Sequence, residues 1–310
     1  MAVNKKFRVV KLMGGFGNQM FQYAFAKLLE KFSNEKVLFD VKYFEEMKKN
    51  EVGSTGFASN GLPLRELEIN IFPNVSVEIA SDEQINEARK LNTPKFVYNF
   101  FKMLKLTKWT KLPREKSAFS YEKDFLKIKE GYFEGYFQNE NYYNDYLEEI
   151  KETFKLPEIR EEDNYNKEIS EKIKSAENPV FIHLRRSEYL NLGFGISDNY
   201  YKKAVEYIKE RVENPKFFVF CAEDPEYVQN EFNIGVDFEL VGVENKTRET
   251  FFENMRHMKN CKHAILANSS YSWWAGYLMD NKDKIVIAPT PWLEGSDQVI
   301  CKNWVKISAQ

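Results

Sequence analysis

The stretch PVFIHLRR, residues 179–186, decides the fold that the sequence predicts. Its apolar run is short and bounded by proline, which is typical of a buried strand, and two arginines follow where that strand would end. Further along, short apolar runs alternate with amphipathic stretches. The apolar runs are 217–221, 238–241, 264–267 and 285–288, and the amphipathic stretches are 198–212, 247–261 and 270–279. This alternation predicts parallel strands with right-handed crossovers, a doubly wound α/β sheet ending at strand 285–288.

The N-terminal half opens with the pattern strand, glycine turn, helix, strand. The second of these strands ends at Asp40, and a less regular region with a basic helical segment follows. A Tyr/Phe-rich strand and a helix complete this half, and a polar helix after Pro157 opens the second half. The predicted segments are 7–12, 18–32, 37–39, the basic 84–108, the strand 131–138, and the helices 139–154 and 160–175. We therefore predict two domains, residues 1–157 and 158–310.

Composition excludes several classes of function. The chain of 310 residues has 45 Lys and Arg against 47 Asp and Glu, so it lacks the basic excess expected of a nucleic-acid partner. No apolar run reaches the roughly 18 residues of a membrane-spanning helix, and no signal peptide is recognisable. We expect a cytoplasmic protein, compatible with peripheral contact with the inner face of a membrane. Three distant cysteines and three histidines lack zinc spacing, so no metal site is expected.

Two motifs at predicted strand ends suit an anion. Arg185 and Arg186 follow the first strand, and guanidinium groups form strong bidentate contacts with phosphates. The alternative is a pair of arginines bound to surface acids. Asn268, Ser269 and Ser270 follow a later strand and open a helix, whose free backbone N–H groups form an anion site. The alternative here is helix capping alone.

Two other motifs leave more than one interpretation open. The turn with Gly14, Gly15, Gly17 and Asn18 lets the backbone approach a diphosphate, but it also resembles a dinucleotide-binding start, with Asp40 as ribose acceptor. That second interpretation is weakened because Met20 stands at the third glycine position. Glu223 and Asp224 follow another strand and suit a guanine or a ribose hydroxyl; Asp224 is equally suited to cap the next helix.

Four segments together resemble the α-1,2-fucosyltransferase family, glycosyltransferase family 11. They are GGFGNQMFQYA (14–24), GYFQ (135–138), HLRR (183–186) and NSSYSWW (268–274). The resemblance implies a GT-B-like α/β fold of two Rossmann-like domains, with GDP-fucose held mainly by the C-terminal one and the acceptor side in the N-terminal one. It implies inverting transfer of fucose to the 2-hydroxyl of a terminal β-galactoside, without metal or other cofactor. Arg186 would grip the diphosphate and Asn18 would lie near the donor phosphates.

The base is the open point of this interpretation. The family usually has Gly-Asp-Tyr after the arginines and a His-Gly pair shortly afterwards, whereas this chain has Ser187-Glu188-Tyr189 and Phe194-Gly195. Glu188 is the preferred base, with Asp198 and His183 as other candidates, and late proton loss would need no strong base. The alternative functions are an NAD-dependent oxidoreductase using the glycine turn and a non-catalytic nucleotide-sugar binding module.

Overall fold

A computed structural model of the chain describes residues 8–53, 59, 63–90, 96–97, 100, 103–104, 115, 117, 119–186, 189, 193–293 and 295–310. The chain forms two compact units, Met1–Lys155 and Leu156–Gln310. The sequence analysis placed the boundary after residue 157. Each unit is built around a parallel sheet with helical connections, so the predicted α/β class with mostly parallel, Rossmann-like sheets is confirmed.

Unit 1 has a three-stranded parallel sheet in the order β2-β1-β3. Its strands and helices are β1 (Arg8–Lys11), α1 (Phe16–Ser33), β2 (Leu38–Asp40), α2 (Lys42–Lys49), α3 (Asp82–Lys90), β3 (Gly131–Phe133) and α4 (Leu147–Thr153). Short 3-10 turns occupy Ile69–Ile71, Lys123–Lys127, Glu140–Tyr142 and Asn144–Tyr146. Strand β3 ends at Phe133 and is shorter than the predicted 131–138, and the φ of 54° at Phe137 excludes that residue from an extended strand.

Helix α1 is held to the rest of unit 1 by two fully buried glutamines. Gln19 Oε1 accepts from the N–H groups of Glu68, at 2.9 Å, and Ile69, at 3.2 Å. Gln22 Oε1 accepts from Met13 N–H, at 2.9 Å, and its Nε2 donates to Gly135 O, at 3.2 Å. Because buried backbone groups without partners are costly, these side chains fix the loops on both sides of the glycine turn.

Unit 2 has a six-stranded parallel sheet in the order β6-β5-β4-β7-β8-β9. Its elements are α5 (Asn164–Ser175), β4 (Asn178–His183), α6 (Asp198–Lys209), β5 (Pro215–Phe220), α7 (Pro225–Asn230), β6 (Phe238–Val241), α8 (Glu253–Lys259), β7 (His263–Ile265), α9 (Ser270–Leu278), β8 (Val286–Thr290) and β9 (Val305–Ser308). The prediction that 285–288 is the last strand is wrong. Strand β9 adds an edge whose residues are half-buried or exposed, so no apolar run marks it.

The strand order of unit 2 reverses direction between β4 and β7. The first three strands run outward one way from β4, and the last three run the other way from β7. In open α/β sheets the connections then leave on opposite faces, so a crevice opens outside the carboxyl ends of these two strands. Both strands are fully buried at their centres, with Ile182 and Ile265 paired in register.

Candidate active site at the carboxyl edge of the second sheet

The two arginines leave the sheet at the crevice between β4 and β7. Leu184 N–H donates to Phe220 O at 3.0 Å, so pairing with β5 continues one residue beyond the end of β4. Leu184 is buried, whereas Arg185 and Arg186 are half-buried. The rigid strand therefore delivers both guanidinium groups to the place where this topology holds ligands.

Arg186 is fixed by two neighbours on the segment after β5. Its Nε donates to Asp224 Oδ2 at 3.0 Å, and its Cζ lies 3.2 Å from the centroid of the Tyr227 ring. The Tyr227 hydroxyl in turn donates to the Asp198 carboxylate, with distances of 2.6 and 2.7 Å to its two oxygens. Since a guanidinium carries five N–H donors, the bond to Asp224 engages one of them and sets the plane of the others.

Arg185, like Arg186, is held by an acid and lies near a tyrosine ring. Its Nη1 pairs with Glu223 Oε1, and its Cζ lies 5.4 Å from the centroid of the Tyr189 ring. The alternative left open by the sequence, arginines bound to acids, is thus present in the structure. The acids come from the β5 segment that was itself predicted to bind substrate, so the structure brings Glu223 and Asp224 together with both arginines.

Asp224 is also the helix cap that the sequence allowed. Its Oδ1 accepts from Tyr227 N–H at 3.3 Å at the start of α7, while its Oδ2 holds Arg186. The Asp224 carboxylate therefore both caps α7 and orients the Arg186 guanidinium. Contact of Asp224 or Glu223 with a guanine or a ribose stays a prediction.

His183 ends β4 as a neutral, buried imidazole. Its side chain is 9% exposed, and its Nδ1 is one of three buried side-chain polar atoms in the described part of the chain that lack a hydrogen-bond partner. Burial, together with the nearby Arg185 charge, lowers the pKa of His183 to about 3. The imidazolium form is therefore disfavoured, which favours a neutral hydrogen-bonding role over a general base.

The segment after β7 caps helix α9. Ser269 is the N-cap, and its Oγ accepts from Tyr271 N–H at 3.3 Å. Asn268 Nδ2 donates to Phe194 O, at 3.0 Å, and to Trp292 O, at 3.2 Å, which fixes the turn against two loops. Ser270 is the first residue of α9, so the helix N-terminus begins at the same sheet edge as the arginines.

The glycine turn belongs to unit 1 and starts α1. Gly14 has φ +76°, where a Cβ would also lie 2.6 Å from Asn18 Nδ2. Gly15 is the N-cap of α1, Gly17 is its second residue, and Asn18 Oδ1 accepts from Gln138 Nε2 at 2.8 Å. Sequence reasoning missed Arg65, whose Nη1 lies 3.6 Å from where a Gly15 Cβ would be. The predicted phosphate contacts of Gly15, Gly17 and Asn18 stay predictions.

Asp40 does not suit the ribose role of the dinucleotide alternative. Its carboxylate is 1% exposed and accepts from the Tyr132 hydroxyl at 2.7 Å. Its other contacts are Arg89 Nη2, at 3.4 Å, and Lys42 N–H, at 3.0 Å. A carboxylate occupied in this way cannot reach a ribose without breaking buried bonds, so the oxidoreductase interpretation loses its acidic residue.

Glu188, the preferred base, lies outside the described residues. Asp198, another candidate, accepts from Tyr227 as its described contact. The described residues contain no cluster of three or more His, Cys, Asp or Glu side chains able to hold a metal ion. In the same part of the chain, no helix has the length and apolar character needed to cross a bilayer.

Comparison with known proteins identifies the family. A model described as Glycosyl transferase family 11 matches residues 8–308. The chain belongs to glycosyl transferase family 11. Alpha-1,2-colitosyltransferase of Escherichia coli is 32% identical over 322 residues, covering 96% of this chain and 98% of that protein. O-antigen biosynthesis glycosyltransferase WbnK of Escherichia coli is 27% identical over 317 residues, covering 96% and 99%.

Among solved structures, fucosyltransferase NodZ from Bradyrhizobium is 14% identical and matches with a TM-score of 0.46, covering 88% of this chain and 92% of that one. The family membership inferred from the four motifs is therefore confirmed by the family model, and the chain is a glycosyltransferase. The α-1,2-fucosyl activity implied by the same motifs stays a prediction.

Tyr227 contacts Arg186 and Asp198, a pairing that the sequence motifs did not reveal, and the role of its hydroxyl is testable. Burial and the neighbouring Asp198 carboxylate raise the pKa of Tyr227 to about 12, so the phenol keeps its proton and donates at neutral pH. Tyr227→Phe keeps the ring beside Arg186 and leaves Asp198 without this donor. We expect kcat/KM for the nucleotide sugar to fall about tenfold. Tyr207→Phe, whose ring lies 3.7 Å from Arg211 Cζ, is the control and should leave kcat/KM unchanged.

Proposed function

We propose that this family 11 chain transfers L-fucose from GDP-β-L-fucose to the 2-hydroxyl of a terminal β-galactoside with inversion, in the synthesis of a bacterial surface glycan. The observation that carries the proposal is that Arg185 and Arg186 follow β4 and that α9 follows β7, the parallel neighbour of β4, so both features lie at the carboxyl edge of the same sheet. The sugar and linkage rest on the motif resemblance. The names of the two relatives, a transferase forming an α-1,2 linkage and an O-antigen glycosyltransferase, support the linkage and the pathway class.

In this proposal the cations of unit 2 stabilise the leaving group. The bond between fucose C1 and the β-phosphate oxygen breaks as the acceptor oxygen approaches from the opposite face, so GDP gains negative charge. Arg186 and Arg185 are held by carboxylates on the β5 segment, and α9 presents its first N–H groups. Donors oriented before the reaction avoid reorganisation when the charge develops, which is often the largest catalytic contribution.

In the same proposal a base removes the proton of the acceptor 2-hydroxyl. Glu188 is our preferred base because it stands two residues after Arg186 in the sequence, where the resembling family has its Asp. Asp198 is engaged by Tyr227, and the buried His183 resists protonation, so both are weaker candidates. Glu188→Gln should lower kcat while GDP affinity stays unchanged; loss of GDP affinity instead would mean that Glu188 orients the arginines.

Colitose is the second candidate for the transferred sugar. The observation that favours it is the 32% identity with the alpha-1,2-colitosyltransferase across nearly both full chains. Colitose is fucose without the hydroxyl at C3, so the two donors share the GDP group and differ at one polar group. A site built to bond that hydroxyl would reject the deoxy sugar strongly, whereas an apolar site would discriminate weakly.

The test is turnover of purified protein with GDP-fucose and GDP-colitose, each with a β-galactoside acceptor. We expect the larger kcat/KM for GDP-fucose and an α-1,2 linkage by NMR of the product. A larger kcat/KM for GDP-colitose would identify colitose as the transferred sugar. Absence of transfer from either donor, with GDP still bound, would support the non-catalytic binding module.

Metal independence is a further expected result. Arg185, Arg186 and the α9 N-terminus supply the positive charge that a divalent cation supplies in other transferases. Excess EDTA should therefore leave the initial rate within about twofold, since leaving-group stabilisation by these groups needs no ion. Loss of activity in EDTA with recovery in Mg²⁺ or Mn²⁺ would show that the arginine account is incomplete.

A further inference from the structure

Exposed apolar side chains gather in one short segment of unit 1. Phe96 is 75% exposed, Met103 70%, Phe100 54% and Leu104 47%, which makes them four of the seven exposed large hydrophobic side chains in the described part of the chain. Monomeric soluble proteins rarely expose contiguous apolar patches unless the patch binds something. We call these four residues the apolar face.

The apolar face has helical spacing. Residues 96, 97, 100 and 103 are helical, and Leu104 N–H donates to Phe100 O at 3.1 Å. The four side chains stand at positions i, i+4, i+7 and i+8, which is the spacing that places residues on one side of a helix. The four described side chains therefore share the spacing of one helix side and are not scattered at random along the segment.

The sequence around the apolar face is strongly basic. Residues 91–114 contain six basic and no acidic residues, although the whole chain has net charge −2. The basic residues are Lys95, Lys102, Lys105, Lys108, Lys111 and Arg114. The rest of the chain is accordingly acidic, so the basic charge is concentrated where the apolar side chains are exposed.

We propose that the apolar face of unit 1 docks on an anionic lipid surface. Apolar helical side chains within a lysine-rich stretch of sequence suit a membrane interface, where apolar burial and attraction to anionic headgroups add. Charge complementarity favours an anionic surface as the occupant, because residues 91–114 carry six basic residues and no acidic one, and a symmetric contact between two copies would bring two such segments together. The proposal is independent of which sugar the enzyme transfers.

The experiment is sedimentation of the full chain with vesicles of phosphatidylcholine alone or with about 30% phosphatidylglycerol, a typical anionic fraction. We expect binding to the anionic vesicles that weakens with salt, and little binding to the neutral ones. Lys102→Gln/Lys105→Gln should weaken binding about 30-fold, at roughly fivefold per lysine. Phe96→Ser/Met103→Ser should weaken it at least about tenfold through lost apolar burial.

Ile79→Ser is the matched control, since Ile79 is 60% exposed in the same unit but outside the basic segment. It should bind vesicles as the parent does, and all variants should keep the parent Tm because the altered apolar side chains are exposed. Absence of binding to anionic vesicles would overturn the proposal, as would equal binding by the parent and the two double variants. A dimer in sedimentation velocity that Phe96→Ser/Met103→Ser dissolves would assign the face to a second copy instead.

Discussion

Arg186→Ala should lower kcat/KM for the nucleotide sugar by about 100- to 1000-fold, on the scale of losing one preorganised donor to a developing oxyanion. The side chain stands at the carboxyl end of the central strand β4, held by Asp224 at 3.0 Å and by the Tyr227 ring. Truncation removes the guanidinium and leaves the Asp224 carboxylate without this partner, at the place where we propose that the diphosphate binds. The loss of attraction and the uncovered negative charge act in the same direction.

Arg186→Lys should recover only part of this activity, because an ammonium lacks the planar fork that matches a phosphate. Arg211→Ala is the matched control in the same unit. Arg211 also pairs with a neighbouring acid, Glu210, and lies over the ring of Tyr207, but it stands between the end of α6 and the start of β5, away from the carboxyl edge of the sheet. Its substitution should leave kcat/KM unchanged. Near-parent turnover by Arg186→Ala would remove Arg186 from the leaving-group account.

Gly242→Ala should lower the melting temperature of unit 2 by about 10 °C, equivalent to about 3–5 kcal/mol. Gly242 follows β6 with φ +72°, and a Cβ there would collide with Asn254 Oδ1. Asn254 is part of a buried network, donating to Gly242 O at 3.0 Å and accepting from Asn245 at 2.8 Å. Asn245 pairs with Asn166 by two bonds, and His257 Nε2 contacts Asn166 Oδ1 at 2.9 Å. Displacing Asn254 therefore leaves several buried polar groups without hydrogen-bond partners at once.

Gly235→Ala is a control that separates the cost of backbone strain from the cost of disrupting the buried hydrogen-bond network. Gly235 has φ +76°, and a Cβ there would meet nothing within 4 Å. Alanine should then cost only the left-handed backbone, about 1 kcal/mol or roughly 3 °C. Calorimetric melting of both variants provides the comparison. Equal shifts would mean that the network contributes nothing beyond the strain at Gly242.

The sheet of unit 2 was predictable because its central strands are buried on both faces. Runs such as 180–182 and 217–221 carry an uninterrupted apolar signal, and the alternation with amphipathic helices gives their parallel order. Strand β9 carries no such signal, because Val305 and Ile307 alternate with exposed residues over only four positions. Helix α8, predicted over 247–261, begins only at Glu253, after turns that the apolar spacing does not distinguish from a helix.

Side-chain partners were less predictable than positions. The sequence locates Arg185, Arg186, Glu223 and Asp224 at strand ends, but only the register of β4 with β5 pairs them. Tyr227 gave a weak signal as the residue three after a capping aspartate, and its contact with Arg186 depends on the tertiary fold. Asp40 shows the opposite case. Its sequence position fits a ribose acceptor, and only its burial under Tyr132 excludes that role.

The central claim is that unit 2 grips a guanosine diphosphate through Arg186. Thermal melting with equal concentrations of GDP, GMP and NAD tests it most directly, because a ligand bound only by the folded state stabilises it by mass action. At about 100 times its Kd, GDP should raise the Tm by roughly 5–10 °C. GMP should raise it less, since it lacks the second phosphate, and NAD should leave it unchanged. The Arg186→Ala variant should lose most of the GDP shift. Stabilisation by NAD rather than GDP, or a full GDP shift in Arg186→Ala, would contradict the account.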